Sequence, residues 1–449
     1  MSIVNSSYYR PLQYLGAKTR SIDSIVAECS KLYTNRTYVL DMFSGSSIVS
    51  QALSNSGMNV MANDIMAFCA DIATCMLNVQ RGNISNKEIK EFINFVLSFK
   101  LPISIEAPFK EWVKNEGVLL EKKDLLGIQQ LYNDFPQVWK DSCDNKQKKY
   151  ICDHIGESAL QNAPLIANYY AGTYFGIKQS IDLDNIRNAI ELLYSENHNF
   201  WLKSLLMTGL YNVMSSIVHS AGKHYAQPIS LNDTNPDKIT NQRLFENRGF
   251  DVNYLFSESI KEILNLNHKD TECNCVSNAD VTTDSYLASL KDFRISVVYA
   301  DPPYTAQQYS RFYHIPEVIH PYTYPSLQVF RGHITNGLYP DNKYKSPFCS
   351  KSQAYKSFEC IFRVAKEKTA SLIISYSESK KTRTGNERMI SLSDITKIAK
   401  EYLPNYRFRK VDFDFDYRQL NSKGKVVEEK DDKEVLLIFE KNDTKIFRK

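Results

Sequence analysis

The sequence lacks several features that would place it in common protein classes. It has no apolar stretch of the roughly 18 residues that a membrane-spanning helix needs, and its first ten residues lack the layout of a secretory signal peptide. Its nine cysteines form no Cys-x-x-Cys pair and fit no common zinc site. We therefore expect a cytoplasmic protein with reduced thiols, no bound metal and no membrane contact. The net charge of +4 is small, so any phosphate binding has to come from local patches.

Two glycine-rich nucleotide-binding patterns are also missing. The chain has no Gly-Lys-Ser/Thr Walker sequence, and the segment Asp41–Ser47 has a single glycine, Gly45, where a dinucleotide loop has three. The rest of that segment is mostly small, which lets a ligand approach the backbone just before the positive N-terminus of a helix. We therefore expect one nucleoside without phosphates rather than NAD or ATP.

The first 84 residues predict a βαβ unit around this loop. A strand at 37–40 leads into the loop, a helix runs from about 48 to 56, and a second strand at 59–62 ends in Asn63-Asp64. An acid at the end of the second strand is placed to accept hydrogen bonds from ribose hydroxyls, which makes Asp64 a candidate ligand. Asp280 also follows a short strand, and it fits either an adenine-binding acid or an ordinary turn former.

The tetrapeptide Asp301-Pro302-Pro303-Tyr304 is the most informative motif. The apolar run at 295–300 before it predicts a buried parallel strand, and the two prolines end that strand in a rigid turn. An acid and an aromatic ring are then fixed at the carboxyl end of a strand, where open α/β sheets bind ligands. The Asp301 carboxylate and the Pro302 carbonyl suit the two N–H groups of a base amine, while Tyr304 stacks on the ring. A plain strand-terminating turn is the alternative.

The α/β pattern is interrupted in the middle of the chain. Between about 85 and 267 strand signals nearly vanish, and helical stripes of apolar residues recur. We predict three parts: 1–84 with the nucleoside loop, a helical insertion at 85–267, and 268–449 with the tetrapeptide. Two antiparallel strands, 408–417 and 434–440, are predicted to close the fold, joined by a charged turn at 421–433.

Four segments, in this order, resemble the DNA adenine-N6 methyltransferases of the DNA adenine methylase (D12 class) group. They are Gln13-Tyr-Leu-Gly-Ala-Lys18, Asp41-Met-Phe-Ser-Gly-Ser-Ser47, Asn63-Asp64-Ile65 and Asp301-Pro-Pro-Tyr304. The resemblance implies a Rossmann-like α/β sheet that uses S-adenosyl-L-methionine, with the large helical insertion as target-recognition domain. It also implies site-specific methylation of N6 of adenine in double-stranded DNA, in a restriction-modification or defence setting with a cognate restriction endonuclease as a further partner.

The resemblance also implies roles for individual residues. Residues 301–304 would be catalytic, and Asp301 would serve both the cofactor and the base. Three positions depart from the family pattern: Tyr14 replaces a frequent Trp, Ala17 replaces a glycine, and Ser47 replaces the last loop glycine. A serine at 47 avoids backbone strain only if its φ is negative. The cofactor would be held by Tyr14, Gly16, Lys18, Asp41, Phe43, Ser44, Gly45, Ser46, Asp64, Ile65, Asp280 and Asp301.

Three basic or aromatic segments are candidates for DNA contact. Tyr309 and Arg311 follow the catalytic motif, where the alternative is a buried helix start. Lys223 and His224 lie in a loop of the insertion. Lys380, Lys381 and Arg383 follow a strand predicted at 370–376, where the alternative is a solvated loop.

Three functions fit these observations. The first is the DNA adenine-N6 methyltransferase, which Asp at position 301 favours by resemblance. The second is the same chemistry on cytosine N4 or on an RNA adenine. The third, a nucleic-acid-binding relative without catalysis, has only Ser47 in its favour.

Overall fold

The computed structural model describes residues 8–82, 84–101, 110–140, 146–230, 235, 238–266, 273–378, 387–420 and 426–442. Its nine strands are β1 Tyr38–Asp41, β2 Asn59–Asp64, β3 Cys275–Asn278, β4 Ile295–Ala300, β5 Val329–Phe330, β6 His333–Ile334, β7 Ser371–Glu378, β8 Tyr406–Leu420 and β9 Val426–Lys441. Helices of the sheet-forming parts are α1 Ile22–Leu32, α2 Ile48–Asn55, α3 Ala67–Met76, α13 Asp284–Ser289, α14 Tyr309–Phe312, α15 His314–Ile319, α16 Lys351–Lys368 and α17 Leu392–Tyr402. Between them run α4 Asn86–Ser98, α5 Lys110–Glu121, α6 Leu125–Asp134, α7 Lys146–Asp153, α8 Leu165–Tyr170, α9 Ile177–Asn197, α10 Phe200–Ile217, α11 Ile239–Gly249 and α12 Val252–Leu264.

Seven strands form one sheet in the order β3-β2-β1-β4-β7-β9-β8. The first five are parallel neighbours, whereas β9 runs antiparallel to both β7 and β8. Because β9 is antiparallel to both β7 and β8, those two strands run in the same direction. Among the seven described strands of this sheet, β9 alone is therefore reversed. The predicted Rossmann-like α/β methyltransferase fold is confirmed.

The central strands are apolar on both faces because helices cover both faces. On β4, Val298 packs with Phe358 of α16 in one core, while Val297 packs with Ile25 of α1 and Leu53 of α2 in the other. A parallel sheet covered on two sides needs such continuous apolar runs, which explains why the 295–300 segment was recognisable.

All nine helices α4 to α12 lie between β2 and β3 in the chain, where the sequence predicts the helical insertion. The long helices α9 and α10 supply much of a separate core, which also takes in Tyr313 and Ile315 from the segment that follows β4. The assignment of 85–267 as a domain of its own, with boundaries near 84 and 267, stays a prediction.

Two details of the C-terminal part differ from the sequence-based expectation. The charged segment at 421–433 is not one long turn, because β9 already begins at Val426 and β8 continues to Leu420. The backbone N–H and C=O groups of a hairpin pair with each other, so its strands do not need apolar side chains. The charged composition of this segment was therefore wrongly taken as evidence for a turn. The short hairpin β5–β6 was also missed, although Gly332, with φ 80° at its turn, marks it.

The described residues contain no helix long and apolar enough to cross a membrane. Within the same residues, no group of three or more His, Cys, Asp or Glu side chains is placed to hold a metal. Eight cysteines are free thiols, and Cys143 lies outside the described residues.

Candidate active site

Three acidic residues meet at the carboxyl edge of the sheet. Asp41 ends β1, Asp64 ends β2, and Asp301 follows β4, and these strands are parallel neighbours. The carboxyl ends of parallel neighbours point to the same edge, which is where open α/β sheets bind ligands. A cleft of about 960 Å³ lies there. It is lined by all twelve predicted cofactor residues, namely Tyr14, Gly16, Lys18, Asp41, Phe43, Ser44, Gly45, Ser46, Asp64, Ile65, Asp280 and Asp301.

The loop after β1 forms a narrow wall of this cleft. Gly45 has φ 51°, and a Cβ added there would lie 2.8 Å from a ring carbon of Tyr14. Its N–H donates to Asp64 Oδ2 at 2.8 Å, and Met66 N–H donates to Asp64 Oδ1 at 2.9 Å. The acid at the end of β2 therefore fixes the loop after β1, and glycine is required at 45 for both conformation and space.

Ser47 does not have the negative φ at which a serine would avoid backbone strain. Its φ is +63°, so the left-handed conformation usual for glycine is kept with a serine in place. Such a residue costs about 1–2 kcal/mol relative to an unstrained backbone. Its buried hydroxyl has no hydrogen-bond partner within the described part of the chain. The loop keeps its shape here at the expense of local strain.

The N-terminal segment 13–18 is held over the cleft by two tyrosines that follow the catalytic motif. Tyr313 Oη accepts from Leu15 N–H at 2.7 Å and donates to the Gln13 carbonyl at 3.1 Å. Its ring stacks on Tyr14, with centroids 4.8 Å apart and planes at 8°. Tyr309 Oη donates to the Leu15 carbonyl at 3.1 Å. Tyr309, a candidate for DNA contact by sequence, also lines the cleft.

Lys18 ties this segment to the tetrapeptide. Its Nζ lies 3.1 Å from Asp301 Oδ1 and 3.2 Å from Glu434 Oε1, and only 5% of its side chain is exposed. Burial by itself lowers the pKa of the Lys18 ammonium, but Asp301 and Glu434 hold that pKa well above its usual value. Lys18 is therefore a permanent buried cation at the catalytic motif.

Burial raises the pKa of all three acids that end the strands. The pKa of Asp301 is raised to about 6 by burial, against the lowering effect of the Lys18 ammonium. The pKa of Asp64 is raised to about 6 by burial, although backbone N–H groups favour its charged form. The pKa of Asp41 is raised furthest, to about 7, by burial and by the nearby Asp301 charge, against a hydrogen bond from Ser50. An acid-rich site of this kind favours a cationic ligand.

The Asp41→Asn variant tests this titration. The folded pKa of Asp41, about 7, exceeds its ordinary 3.8, so its contribution to stability is full below about pH 4 and is lost as the pH rises through 7. Asparagine does not titrate, so the free energy of unfolding of the variant minus that of the wild type should rise between pH 4 and 8. Urea unfolding across this range measures the difference. Asp284→Asn, at an acid whose side chain is 91% exposed, is the surface control. A flat difference for Asp41→Asn would contradict the assignment.

Of the other three tetrapeptide residues, two are buried and one lines the cleft. Pro303 lines the cleft, and Pro302 is buried. The Tyr304 ring packs edge-on against Tyr376 at 5.8 Å, and the Arg388 guanidinium lies over it at 5.1 Å. Tyr304 is 8% exposed, so its stacking on a base, as expected from the sequence, stays a prediction.

Asp280 shows both of the behaviours considered for it. Its Oδ1 accepts from the Thr282 backbone N–H at 2.9 Å and from the Thr282 hydroxyl at 2.6 Å, which is a turn. Its Oδ2 accepts from Tyr344 Oη at 3.0 Å on the wall of the cleft. The turn therefore presents this carboxylate to the cleft, and its role toward an adenine ring stays a prediction.

Two of the three candidate DNA-contact segments lie together. The His224 ring packs edge-on against Phe312 at 4.8 Å, and Tyr225 N–H donates to the Phe312 carbonyl at 2.8 Å. Lys223 on this loop is exposed, and Arg311 Nε donates to Tyr339 Oη at 3.1 Å. The third segment, Lys380, Lys381 and Arg383, lies outside the described residues.

Sequence reasoning missed the wall of the cleft opposite the loop after β1. Its residues come from α14 and from a segment some forty positions beyond the tetrapeptide, and they form no motif with it. Ser310 Oγ donates to the Tyr344 carbonyl at 2.5 Å, and the Phe348 ring lies edge-on to Phe43 at 5.3 Å. Glu434 was missed as well, because it directly follows a run of charged residues and no sequence signal separates it from them. The missed lining residues include Tyr344, Ser346 and Phe348.

Comparison with known proteins agrees with this geometry. The family model of the D12 class N6 adenine-specific DNA methyltransferases matches residues 14–215. Over this range the chain is similar to the D12 class. The predicted resemblance is thereby confirmed. The match covers the segments around Tyr14, Asp41 and Asp64, whereas the tetrapeptide lies beyond it.

A relative with a curated description is the modification methylase LlaI of Lactococcus lactis subsp. lactis. It is 22% identical to this chain over 437 residues, which cover 96% of the chain and 55% of the relative. The chain thus spans about half the length of that relative.

Proposed function

We propose that this chain transfers a methyl group from S-adenosyl-L-methionine to N6 of adenine in double-stranded DNA at a specific site. The observation that carries the proposal is the ion pair between Lys18 and Asp301. It joins the segment matched by the D12 family to the Asp-Pro-Pro-Tyr turn in one cleft. This arrangement supports one shared site for the methyl donor and the target base.

The residues of the cleft fit S-adenosyl-L-methionine. Asp41 Oδ1 and Ser44 Oγ are buried in its lining without a hydrogen-bond partner among the described residues, as expected of groups that face a polar ligand. Asp64 retains lone pairs for ribose hydroxyls, and Phe43 offers a ring face to an adenine. Four acids line the cleft, Asp41, Asp64, Asp280 and Asp301, against one buried cation, Lys18. This excess of acids leaves the cleft negative, which suits a sulfonium. When bound, this cofactor supplies an electrophilic methyl group.

Asp301 is the group that would orient the target amine. Lys18 engages its Oδ1, so Oδ2 is the oxygen for an N6–H bond. With the Pro302 carbonyl as the second acceptor, both amine hydrogens would be held, and the nitrogen lone pair would turn out of the ring plane toward the cleft. A flipped base has lost its stacking, at a few kcal/mol, which the pocket has to offset. The pKa of about 6 leaves Asp301 charged at neutral pH.

DNA contact is proposed for the surface beside the cleft. Arg311 directly follows Ser310, which lines the cleft, and the loop of Lys223 and His224 packs onto the next residue, Phe312. Phosphate contacts there would position the duplex, while residues of the 85–267 insertion would read bases. The proposal includes a cytoplasmic restriction-modification setting with a cognate endonuclease, supported by a relative described as a modification methylase.

Expression of the chain in a host that lacks DNA methylation, followed by modification-sensitive sequencing, tests the proposal. We expect N6-methyladenine at one recurring sequence and none in the same host with an empty vector. N4-methylcytosine at a recurring sequence would instead support the alternative activity, methyl transfer to N4 of cytosine. Unmodified DNA together with no thermal stabilisation by S-adenosyl-L-methionine would contradict the proposal and favour a non-catalytic relative.

A further inference from the structure

A second carboxylate lies at the catalytic ion pair. Glu434, on the reversed strand β9, is 9% exposed and places Oε1 3.2 Å from Lys18 Nζ. The same ammonium lies 3.1 Å from Asp301 Oδ1. One buried lysine therefore bridges an acid of the Asp-Pro-Pro-Tyr turn and an acid of a strand two positions away in the sheet.

The count of charges in this cluster matters for the reaction. Lys18 and Asp301 alone sum to zero, and with Glu434 the cluster has a net charge of −1. In the transfer, the N6 lone pair would form the new bond to the methyl carbon, while the electron pair of the broken bond would stay with the donor sulfur. Positive charge would thus move onto the nitrogen beside Asp301, and the proton on that nitrogen would then pass to solvent water. A lysine cation at this point opposes the change unless another carboxylate balances it.

We infer that Glu434 is a positioning residue of the active site, which holds Lys18 in place and offsets its charge, so that the cluster stays net negative beside the target amine. This inference rests on the proposed function. Nothing in the D12 match covers Glu434, because the matched range ends at residue 215.

The charged and polar groups around Asp301 make the effect of Glu434 testable. Lys18 comes from the N-terminal segment, Tyr299 from β4, Asp41 from β1, Ser375 from β7 and Glu434 from β9. Within this set, the carboxylate of Glu434 raises the pKa of Asp301 and the ammonium of Lys18 lowers it. Removing the charge of Glu434 should therefore make Asp301 more acidic.

The experiment compares Glu434→Gln with the wild type, with Glu434→Asp and with a control, Glu440→Gln. Glu440 lies on the same strand and pairs with Arg409 at the surface. Methyl transfer is measured from pH 5 to 9 with both substrates saturating. Separately, the aspartate carboxyl groups of the protein alone are titrated by carbon-13 NMR, with Asp301→Asn identifying the Asp301 signal.

For Glu434→Gln we expect a plateau kcat lower by roughly tenfold, because one preorganised charge is lost. The acid limb of its pH–rate profile should move to lower pH than in the wild type, and the carbon-13 signal of Asp301 should also titrate at lower pH. Glu434→Asp should keep the position of the wild-type limb, and Glu440→Gln should match the wild type throughout.

The inference would be overturned if Glu434→Gln left both the acid limb of the pH–rate profile and the Asp301 titration unmoved. A lower melting temperature with unchanged pH profiles would also overturn it. If the wild type methylates no DNA, the proposed function fails by itself. The carboxyl titration then still decides whether Glu434 acts on Asp301.

Discussion

Asp301→Asn should lower methyl transfer by about a thousandfold with little loss of folded protein. The substitution keeps the shape of the side chain and removes the charge that is expected to hold the target amine, and loss of one such group typically costs 10²–10³ in kcat. Lys18 retains Glu434 as a partner at 3.2 Å, so no buried ammonium is left unpaired. Burial raises the pKa of Asp301 to about 6, so the charged acid is held at neutral pH against a desolvation cost that asparagine does not have.

The matched control for this variant is Asp292→Asn. Asp292 precedes the same strand, β4, at its amino end and is exposed. Single-turnover methyl transfer, cofactor affinity and melting temperature should all stay at wild-type values in the control. In Asp301→Asn the transfer rate should collapse while the melting temperature stays near the wild-type value. Near-normal transfer by folded Asp301→Asn would remove this carboxylate from the chemistry, and with it the main argument for an amine-directed reaction.

The part of the site that could be predicted from sequence is the part carried by strands. Apolar runs at 37–40, 59–62 and 295–300 predict parallel strands, and parallel strands bring their carboxyl ends to one edge. The strand pattern thus predicts Asp64 and Asp301 at that edge, and the family resemblance adds Asp41. Gly45 was recognisable as well, because a positive φ beside a close neighbour restricts the residue type.

The rest of the site depends on contacts between segments that are distant in the chain. Glu434 reaches Lys18 across 416 positions, and Tyr313 reaches Leu15 across 298. No local periodicity encodes such pairs, since each residue alone resembles an ordinary buried tyrosine or strand acid. Ser47 shows a related limit: the sequence alone states only that a serine there avoids strain at negative φ. The hydrogen bond from its N–H to the Ser44 carbonyl, at 2.7 Å, is part of a tight loop in which φ is positive.

Gly45→Ala should weaken the binding of S-adenosyl-L-methionine by about a hundredfold, because displacements of about 1 Å at a binding site cost on that order. An added Cβ would lie 2.8 Å from a carbon of the Tyr14 ring and 3.1 Å from another. That ring cannot simply withdraw, since it stacks on the buried Tyr313 at 4.8 Å. The loop itself has to shift, and it would carry Asp64 with it through the Gly45 N–H bond.

Gly57→Ala separates this steric effect from backbone strain. Gly57 also has a positive φ, 89°, but nothing lies within 4 Å of its added Cβ. Both variants should therefore lose stability by about 1–2 kcal/mol from the left-handed conformation. Isothermal titration calorimetry should show weakened cofactor binding in Gly45→Ala alone. Equal affinities in the two variants would mean that the approach of Tyr14 to this loop does not shape the cofactor site, and that the cleft binds its ligand through other walls.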